Sequence, residues 1–225
     1  MVRKRKAPGA FASLIVGTSG ILLGGFLGVL IAAIHLVFKP VVEVKQLPDP
    51  EELEAVVYYV EGRRSGMDGA AWVGKRNQFI SGTPFEATLN EQELNQWSSA
   101  SYGPRRKELT LEYGEAKIEP GIPLFRIAEG QVQIGMSVEI KAMDSNRRII
   151  LQASGGFASE GDASIRFSPE TVYVGSCRIP NFQGMSGRVF GGLLALIDAP
   201  AEVRAAWPTL SEATIEGEQI RLQRL

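Results

Sequence analysis

The feature that most constrains this chain is a stretch of 28 residues, 11–38, that contains no charged side chain. As an α-helix it would extend about 42 Å, which exceeds the ~30 Å hydrocarbon core of a bilayer. The stretch therefore predicts a transmembrane helix, with the lipid bilayer as its partner. A cleaved signal peptide is the alternative, but its apolar core would span only about 7–15 residues before a small-x-small cleavage site. The length of the stretch favours an uncleaved anchor.

The charges that flank the apolar stretch predict its orientation. Basic residues occupy all four positions 3–6, whereas only Lys39 follows the stretch closely. Because cytoplasmic flanks carry an excess of Lys and Arg, we expect a single-pass protein of the cell membrane with residues 1–10 as a cytoplasmic tail. The C-terminal domain would then be extracytoplasmic, in a periplasm or at the cell exterior.

Small residues recur every four positions within the apolar stretch, at Gly20, Gly24, Gly28 and Ala32. This spacing places them along one face of a helix and allows a second helix to approach closely. It predicts a packing surface for another transmembrane helix, either from a second copy or from a partner protein. The alternative is that glycine is simply common in membrane helices.

Composition excludes several functions for the rest of the chain. Of 24 Lys and Arg, five lie in residues 1–40, which contain none of the 25 Asp and Glu; residues 41–225 therefore have 19 basic and 25 acidic side chains, a net charge of −6. An acidic domain is not drawn to nucleic acid. His35 and Cys177 are the only histidine and the only cysteine. This excludes Ser-His-Asp and Cys-His catalysis and zinc sites built from His and Cys, and we expect no metal and no cofactor.

Residues 39–84 are predicted to form a short helical neck. Asp49 and Gly62 are suited to cap the two ends of a first helix, whose apolar face carries Leu53, Val56, Val57 and Val60. A second helix is expected over residues 68–80.

Residues 85–225 are predicted to form a β-rich exported domain, beginning with a brief strand at Phe85, Ala87 and Leu89. In the segment 88–95 that follows, Asn90 and Glu93 have the spacing of a capping box, and Leu89 and Leu94 that of a hydrophobic staple. Because each residue has a structural use, we do not interpret Glu91 and Glu93 as catalytic.

A two-residue period indicates strands from residue 109 onward. Apolar and polar residues alternate without interruption over residues 132–142. They also alternate over residues 109–118, with a bulge expected near Gly114. Residues 149–157 continue the pattern after a turn at 144–146. Ile165 with Phe167 predicts another short strand, and Tyr173, Cys177 and Ile179 a further one in which Cys177 is buried. A last strand pair is expected at residues 213–222. Such strands favour an antiparallel β-meander with one buried face.

An apolar segment at residues 182–197 has helical spacing and Arg188 as its only charge. It either packs across the apolar face of the sheet, lines a cavity for an acyl chain, or dips into the bilayer surface. The fold class is therefore α+β, with the meander packed against an apolar helix. The candidate surface for an apolar ligand or a partner consists of Phe182, Met185, Val189, Phe190, Leu193, Leu194 and Ile197.

The order of elements also resembles a known family. The residues that carry the resemblance are a T-x-x-E-x-x-L-N segment (Thr88, Glu91, Leu94, Asn95) and a short strand ending Arg178-Ile-Pro180 ahead of an apolar helix. In these features, and in its single membrane helix, the chain resembles single-pass bacterial proteins of the YpmS type and, more distantly, tubular lipid-binding domains. The resemblance implies a membrane-tethered domain that contacts lipid and has no catalytic activity.

These observations favour a non-enzymatic, membrane-tethered extracytoplasmic binding domain that serves as an accessory or assembly subunit of an envelope membrane complex. No P-loop, dinucleotide fingerprint, nucleophile elbow or EF-hand pattern is present. Two alternatives stay open. One is a lipid-binding module that holds acyl chains between the sheet and the apolar helix, and the other is a glycan-active enzyme that uses a carboxylate pair.

Overall fold

The computed structural model describes residues 10–49, 51–52, 56–63, 71–102, 109–110, 116–142, 145–160, 164–195, 197 and 199–225. Its helices are α1 (Ala10–Phe38), α2 (Ala71–Ile80), α3 (Glu91–Tyr102), α4 (Met185–Leu194) and α5 (Ala201–Ala206), which continues into a 3-10 turn at Trp207–Thr209. Its strands are β1 (Val42–Val44), β2 (Tyr58–Val60), β3 (Phe85–Asn90), β4 (Leu109–Thr110), β5 (Ala116–Pro120), β6 (Leu124–Ala128), β7 (Gln131–Ala142), β8 (Ser145–Glu160), β9 (Ser164–Val174), β10 (Cys177–Ile179), β11 (Glu212–Glu216) and β12 (Gln219–Arg224).

The N-terminal apolar stretch forms the long helix α1. Within it, Thr18–Phe38 has 21 residues and a mean hydropathy of 2.5, and is long and apolar enough to cross a membrane. The helix ends at Phe38, two residues before Pro40, because proline disfavours helical geometry in the residue that precedes it.

The main sheet has the strand order β10-β9-β8-β7-β5-β4, and β6 pairs with the remaining part of β7. All of its pairings are antiparallel, which confirms the predicted antiparallel sheet. The strand predicted at residues 132–142 is β7. The bulge expected near Gly114 lies outside the described residues, as does Asp144, and β8 begins already at Ser145.

The region 164–179 differs from the expected short strands. Ile165, Phe167 and Tyr173 belong to one strand, β9, whose register against β8 shifts between Ser154 and Gly155. A turn at residues 175–176 then separates β9 from β10, so that Tyr173 and Cys177 lie on different strands. Cys177 is half-buried and not fully buried as predicted, because β10 ends the sheet and has a neighbour on one side only among the described strands.

The first neck helix was a wrong prediction over the residues that the structure describes; Leu53 lies outside them. Tyr58–Val60 is strand β2, which pairs in parallel with β1. The five residues 56–60 are all Val or Tyr, which favour strands, and burial of Tyr59 and Val60 outweighs the helical spacing. Tyr59 packs on the outer face of β7, where a Cβ at Gly135 would lie 2.1 Å from its ring. The second neck helix is present as α2; its predicted start, Asp68, lies outside the described residues.

The C-terminal strand pair forms the second sheet. β11, β12 and β3 are antiparallel in that order, which confirms both the strand pair expected at residues 213–222 and the brief strand before α3. This small sheet packs through Leu89, Ile220 and Leu222 against the same buried cluster as Val132 of the main sheet. It therefore covers one end of the inner face of the main sheet.

Candidate functional site

The inner face of the main sheet carries a continuous apolar surface. On β7, Val132, Ile134, Met136 and Val138 alternate onto this face and reach three successive buried clusters. The second sheet covers the cluster that contains Val132. Phe190 of α4 lies in the middle cluster, and Val37 of α1 packs against the cluster that contains Met136 and Val138.

A groove of about 720 Å³ lies between this inner face and the helices α3 and α4. The described residues that line it are apolar except for Ser98, Ser101, Tyr102 and Arg166. Six aromatic rings in its wall form a chain in which neighbouring centroids are 5.2–6.4 Å apart. In order, these rings are Trp97, Phe79, Trp207, Phe157, Phe167 and Phe190. Aromatic side chains have few rotamers, so this wall keeps its shape without filling the groove.

The α4 wall of the groove is lined by glycine as well as by Phe190 and Leu194. Gly187 and Gly191 are one turn apart and both border the groove. A Cβ built on either residue meets no atom within 4 Å. The sequence therefore leaves space on this wall that an alanine would partly occupy.

The α3 wall is fixed by a row of side chains that pair with the edge of β6 that no described strand occupies. Asn95 accepts from Phe125 N at 2.7 Å and donates to Phe125 O at 2.8 Å, and Glu91 accepts from Ile127 N at 3.2 Å. Ser98 donates to Pro123 O at 2.6 Å. Four residues of an α-helix advance about 6 Å along its axis, and two residues of a β-strand advance about 6.6 Å. Side chains at positions i, i+4 and i+7 of α3 can therefore reach every second residue along the neighbouring strand. We call Glu91, Asn95 and Ser98 the edge row.

The T-x-x-E-x-x-L-N segment thus has structural uses throughout. The predicted capping box is confirmed: Glu93 N donates to Asn90 Oδ1 at 2.9 Å, and Asn90 N donates to Glu93 Oε2 at 3.0 Å. Lys75 of α2 bridges Glu93 and the carbonyl oxygen of Thr88, which fixes α2 to α3. Leu89 is buried and Leu94 packs against the same cluster, as the staple requires.

Tyr102 brings a polar group to the groove at the C-terminal end of α3. Burial raises the pKa of the Tyr102 phenol, because the ionised form loses hydration there. The phenol is therefore a neutral hydrogen-bond donor across the physiological pH range, suited to meet a polar end of an otherwise apolar ligand.

The structure divides the predicted apolar surface of residues 182–197 into two parts. Phe190, Leu194 and Ile197 line the groove, while Leu193 and Ile197 also pack against the Met136 cluster and Val189 is half-buried. Phe182 and Met185 lie outside the groove and are 65% and 43% exposed.

The predicted small-residue stripe faces away from the rest of the molecule. Gly20, Gly24, Gly28 and Ala32 are exposed, and a Cβ on any of the three glycines meets no atom within 4 Å. Within Thr18–Phe38, only Ala33 and Val37 are half-buried. At 3.6 residues per turn, their side of α1 lies about 180° from the stripe.

The last turn of α1 is fixed to the turn between β9 and β10. Ser176 N donates to Leu36 O at 3.0 Å, and Ser176 Oγ donates to Lys39 O at 3.2 Å. Gly175 has a φ of 57°, and a Cβ there would lie 2.0 Å from the carbonyl oxygen of Val37. This approach requires glycine.

A second cavity, of about 670 Å³, is polar and lies beside the N-terminus of α3. It is lined by charges of both signs, including Arg63, Arg126, Glu61, Glu129 and Glu218. Among the described residues, no group of three or more His, Cys, Asp or Glu side chains is placed to hold a metal ion.

Sequence reasoning missed most of the groove wall. Phe79, Trp97, Phe157 and Trp207 come from distant segments, and only their aromatic character distinguishes them in the sequence. Comparisons with known proteins do not add to this geometry: no family model matches the chain, and no curated protein matches it significantly. The resemblance to YpmS-type proteins and to tubular lipid-binding domains stays a prediction.

Proposed function

We propose that this protein is a membrane-anchored binding domain that holds an acyl chain in the groove between the main sheet, α3 and α4. It acts by binding and not by catalysis, with α1 in the membrane, the N-terminus in the cytoplasm and the C-terminal domain in the extracytoplasmic space. The observation that carries the proposal is a groove of about 720 Å³ with a continuous aromatic wall. Pockets that hold small ligands span about 300–1,000 Å³ and are mostly apolar.

The position of the groove next to the anchor favours lipid over other apolar ligands. Ile197 lines the groove and packs against the Met136 cluster, and Val37 of α1 packs against that same cluster. One group of side chains therefore connects the groove with the end of the membrane helix. Acyl chains are the most abundant apolar ligand at such a place.

The polar cavity supports an enzymatic function less well. A carboxylate-pair glycosidase needs two carboxyl groups about 5–10 Å apart on either side of the substrate. Of the carboxylates at this cavity, Glu91 already accepts backbone N–H groups on both oxygens, from Arg63 and from Ile127. The Glu91 carboxylate therefore serves to attach α3 to β6.

Photo-crosslinking with a matched pair of variants tests the lipid proposal. The full chain in phospholipid nanodiscs is incubated with a diazirine-bearing palmitate, irradiated and digested, and adducts are located by mass spectrometry. We expect adducts on peptides that contain Phe157 or Trp207. Gly191→Leu fills the groove and abolishes these adducts, whereas Gly192→Leu, on the outer side of α4, retains them; both glycines have open space around them.

Adducts on α1 serve as the internal standard, because any membrane helix contacts lipid. An unchanged yield of groove adducts in Gly191→Leu, or their absence from the wild-type protein, would contradict the proposal.

A second candidate function is assembly with another transmembrane helix, as an accessory subunit of an envelope membrane complex. It is favoured by the position of the stripe on the side of α1 opposite Ala33 and Val37, where the described part of the chain leaves room for a second helix. Crosslinking in membranes tests it. Gly24→Leu should abolish a crosslinked species that Val29→Leu, outside the stripe, preserves; a wild-type protein recovered only as a monomer argues against assembly.

A further inference from the structure

The corner between β10 and α4 presents apolar side chains to the surroundings. Phe182 is 65% exposed and Met185 is 43% exposed, although both side chains are large and apolar. Single exposed apolar residues are common on protein surfaces. Here two of them lie three residues apart, so the corner needs a physical explanation.

The backbone of the corner turns through two consecutive residues with positive φ. Gln183 has a φ of 50° and Gly184 a φ of 71°. A positive φ is uncommon for a residue other than glycine. Met185 N donates to Phe182 O at 3.0 Å, and Ser186 Oγ is hydrogen-bonded to Asn181 Oδ1 at 2.6 Å. The corner is therefore a defined structure that displays Phe182 on its surface.

The corner starts from the end of the membrane helix. Ser176 is hydrogen-bonded to Leu36 and Lys39, and β10, which follows it, contacts α1. Phe182 is six residues beyond Ser176, so its Cα lies within about 22 Å of the Cα of Ser176 even if the chain is fully extended. Ala33 is half-buried, so protein covers α1 to at least one turn before its last residue. The corner is thus within reach of the surface that α1 would enter.

The charges beside the corner match an anionic surface. The segment 176–195 contains Arg178 and Arg188 and no Asp or Glu. Both arginines are exposed. Residues 41–225 as a whole have a net charge of −6, so this segment is a local exception. Aromatic side chains and arginine together are the residues that proteins place at the headgroup level of bilayers.

We infer that the β10–α4 corner lies in the headgroup layer of the bilayer that α1 enters, with Phe182 and Met185 in contact with the acyl boundary and Arg178 and Arg188 with lipid phosphates. This inference rests on the proposed membrane anchor and deepens the proposed function. Since α4 is one wall of the groove, a lipid would reach the groove from the bilayer surface without passing through water.

Site-specific fluorescence tests this position in the full chain. Cys177 is the only cysteine, so a Cys177→Ala background allows single labels of the environment-sensitive dye NBD at Phe182→Cys, Met185→Cys, Leu27→Cys and Glu218→Cys. The proteins are reconstituted in nanodiscs of phosphatidylcholine and phosphatidylglycerol, with and without doxyl-labelled lipid. Leu27 reports on α1, and Glu218, in the exposed turn between β11 and β12, is the control outside the bilayer.

We expect the labels at Phe182 and Met185 to emit at shorter wavelength than the label at Glu218 and to lose emission with doxyl lipid. The inference would be overturned if the labels at Phe182 and Met185 had the same emission wavelength and the same quenching as the label at Glu218, while the label at Leu27 was quenched. That outcome leaves crosslinking in the groove unaffected, so failure of the corner is distinguishable from failure of the lipid-binding proposal. An unquenched label at Leu27 would instead remove the membrane anchor and this inference together.

Discussion

Substitution of Asn95 tests whether the edge row holds the α3 wall in place. The Asn95 side chain is 1% exposed and makes three hydrogen bonds to backbone groups. It accepts from Phe125 N, and it donates to Phe125 O at 2.8 Å and to Arg63 O at 3.0 Å. Asn95→Ala removes all three and leaves one backbone donor and two backbone acceptors without this partner.

The expected loss follows from the number of these groups. A buried polar group left without a partner costs about 1–3 kcal/mol. Because water can enter the volume that the amide leaves, we take the lower limit for each of the three groups and expect a loss of about 3 kcal/mol in the free energy of unfolding. With a urea dependence of about 2 kcal/mol/M, the unfolding midpoint should fall by about 1.5 M.

Two further variants on α3 calibrate the effect. Ser98→Ala removes one hydrogen bond, to Pro123 O, and should lower the midpoint by about 0.5 M. Ser99 is a half-buried serine on the same helix. Ser99→Ala should change the free energy of unfolding by less than about 0.5 kcal/mol. Urea unfolding of the full chain in detergent micelles, followed by tryptophan fluorescence, measures all three, because Trp97 and Trp207 lie in the aromatic wall. A midpoint for Asn95→Ala equal to that of Ser99→Ala would refute the edge row as the support of α3.

Two other predictions concern charge and backbone geometry. Asn95→Asp places a carboxyl group against Phe125 O and Arg63 O, and burial beside these acceptors raises the pKa of the introduced group above its unfolded value of about 3.9. The folded state then binds more protons than the unfolded state, so stability relative to wild type should fall as pH rises above about 3.9. A difference in urea midpoint that is the same at pH 4 and at pH 7 would contradict this. Gly175→Ala should destabilise the protein more than Gly217→Ala, because both glycines have positive φ but only at Gly175 does a Cβ clash, 2.0 Å from Val37 O. Thermal unfolding of the two variants measures the difference, and equal losses would show that the contact between α1 and the β9–β10 turn does not stabilise the fold.

The elements that could be predicted from sequence are those specified by local chemistry. β7 alternates without interruption because one of its faces is apolar along its whole length, from Val132 to Ala142. The capping box of α3 needs only Asn90 and Glu93, three residues apart. Both signals lie within a dozen residues and do not depend on partners from elsewhere in the chain.

The parts that sequence reasoning missed depend on contacts between distant residues. The hydrogen bonds of Asn95 reach Phe125, 30 residues away, and Arg63, 32 residues away. The predicted helix at Tyr58–Val60 failed because the outer face of the sheet was available to bury Tyr59, which periodicity alone does not reveal. The groove is lined by aromatic rings from segments between Phe79 and Trp207. No single segment of the sequence contains enough of these residues to reveal the groove.

The two helical walls of the groove differ in what holds them. The edge row attaches α3 to β6 through hydrogen bonds from side chains to backbone groups. In contrast, α4 has three glycines among its ten residues, and its N-cap residue, Gly184, provides no side-chain hydrogen bond. Each glycine lowers helix stability by about 1 kcal/mol relative to alanine, so α4 forms through the packing of Ser186 and Phe190 more than through its own propensity. Gly187 and Gly191 therefore have two effects at once: they leave space in the groove, and they weaken the wall that borders it. We accordingly expect α4, beside the exposed Phe182 corner, and not α3, to be the wall that moves when a ligand enters.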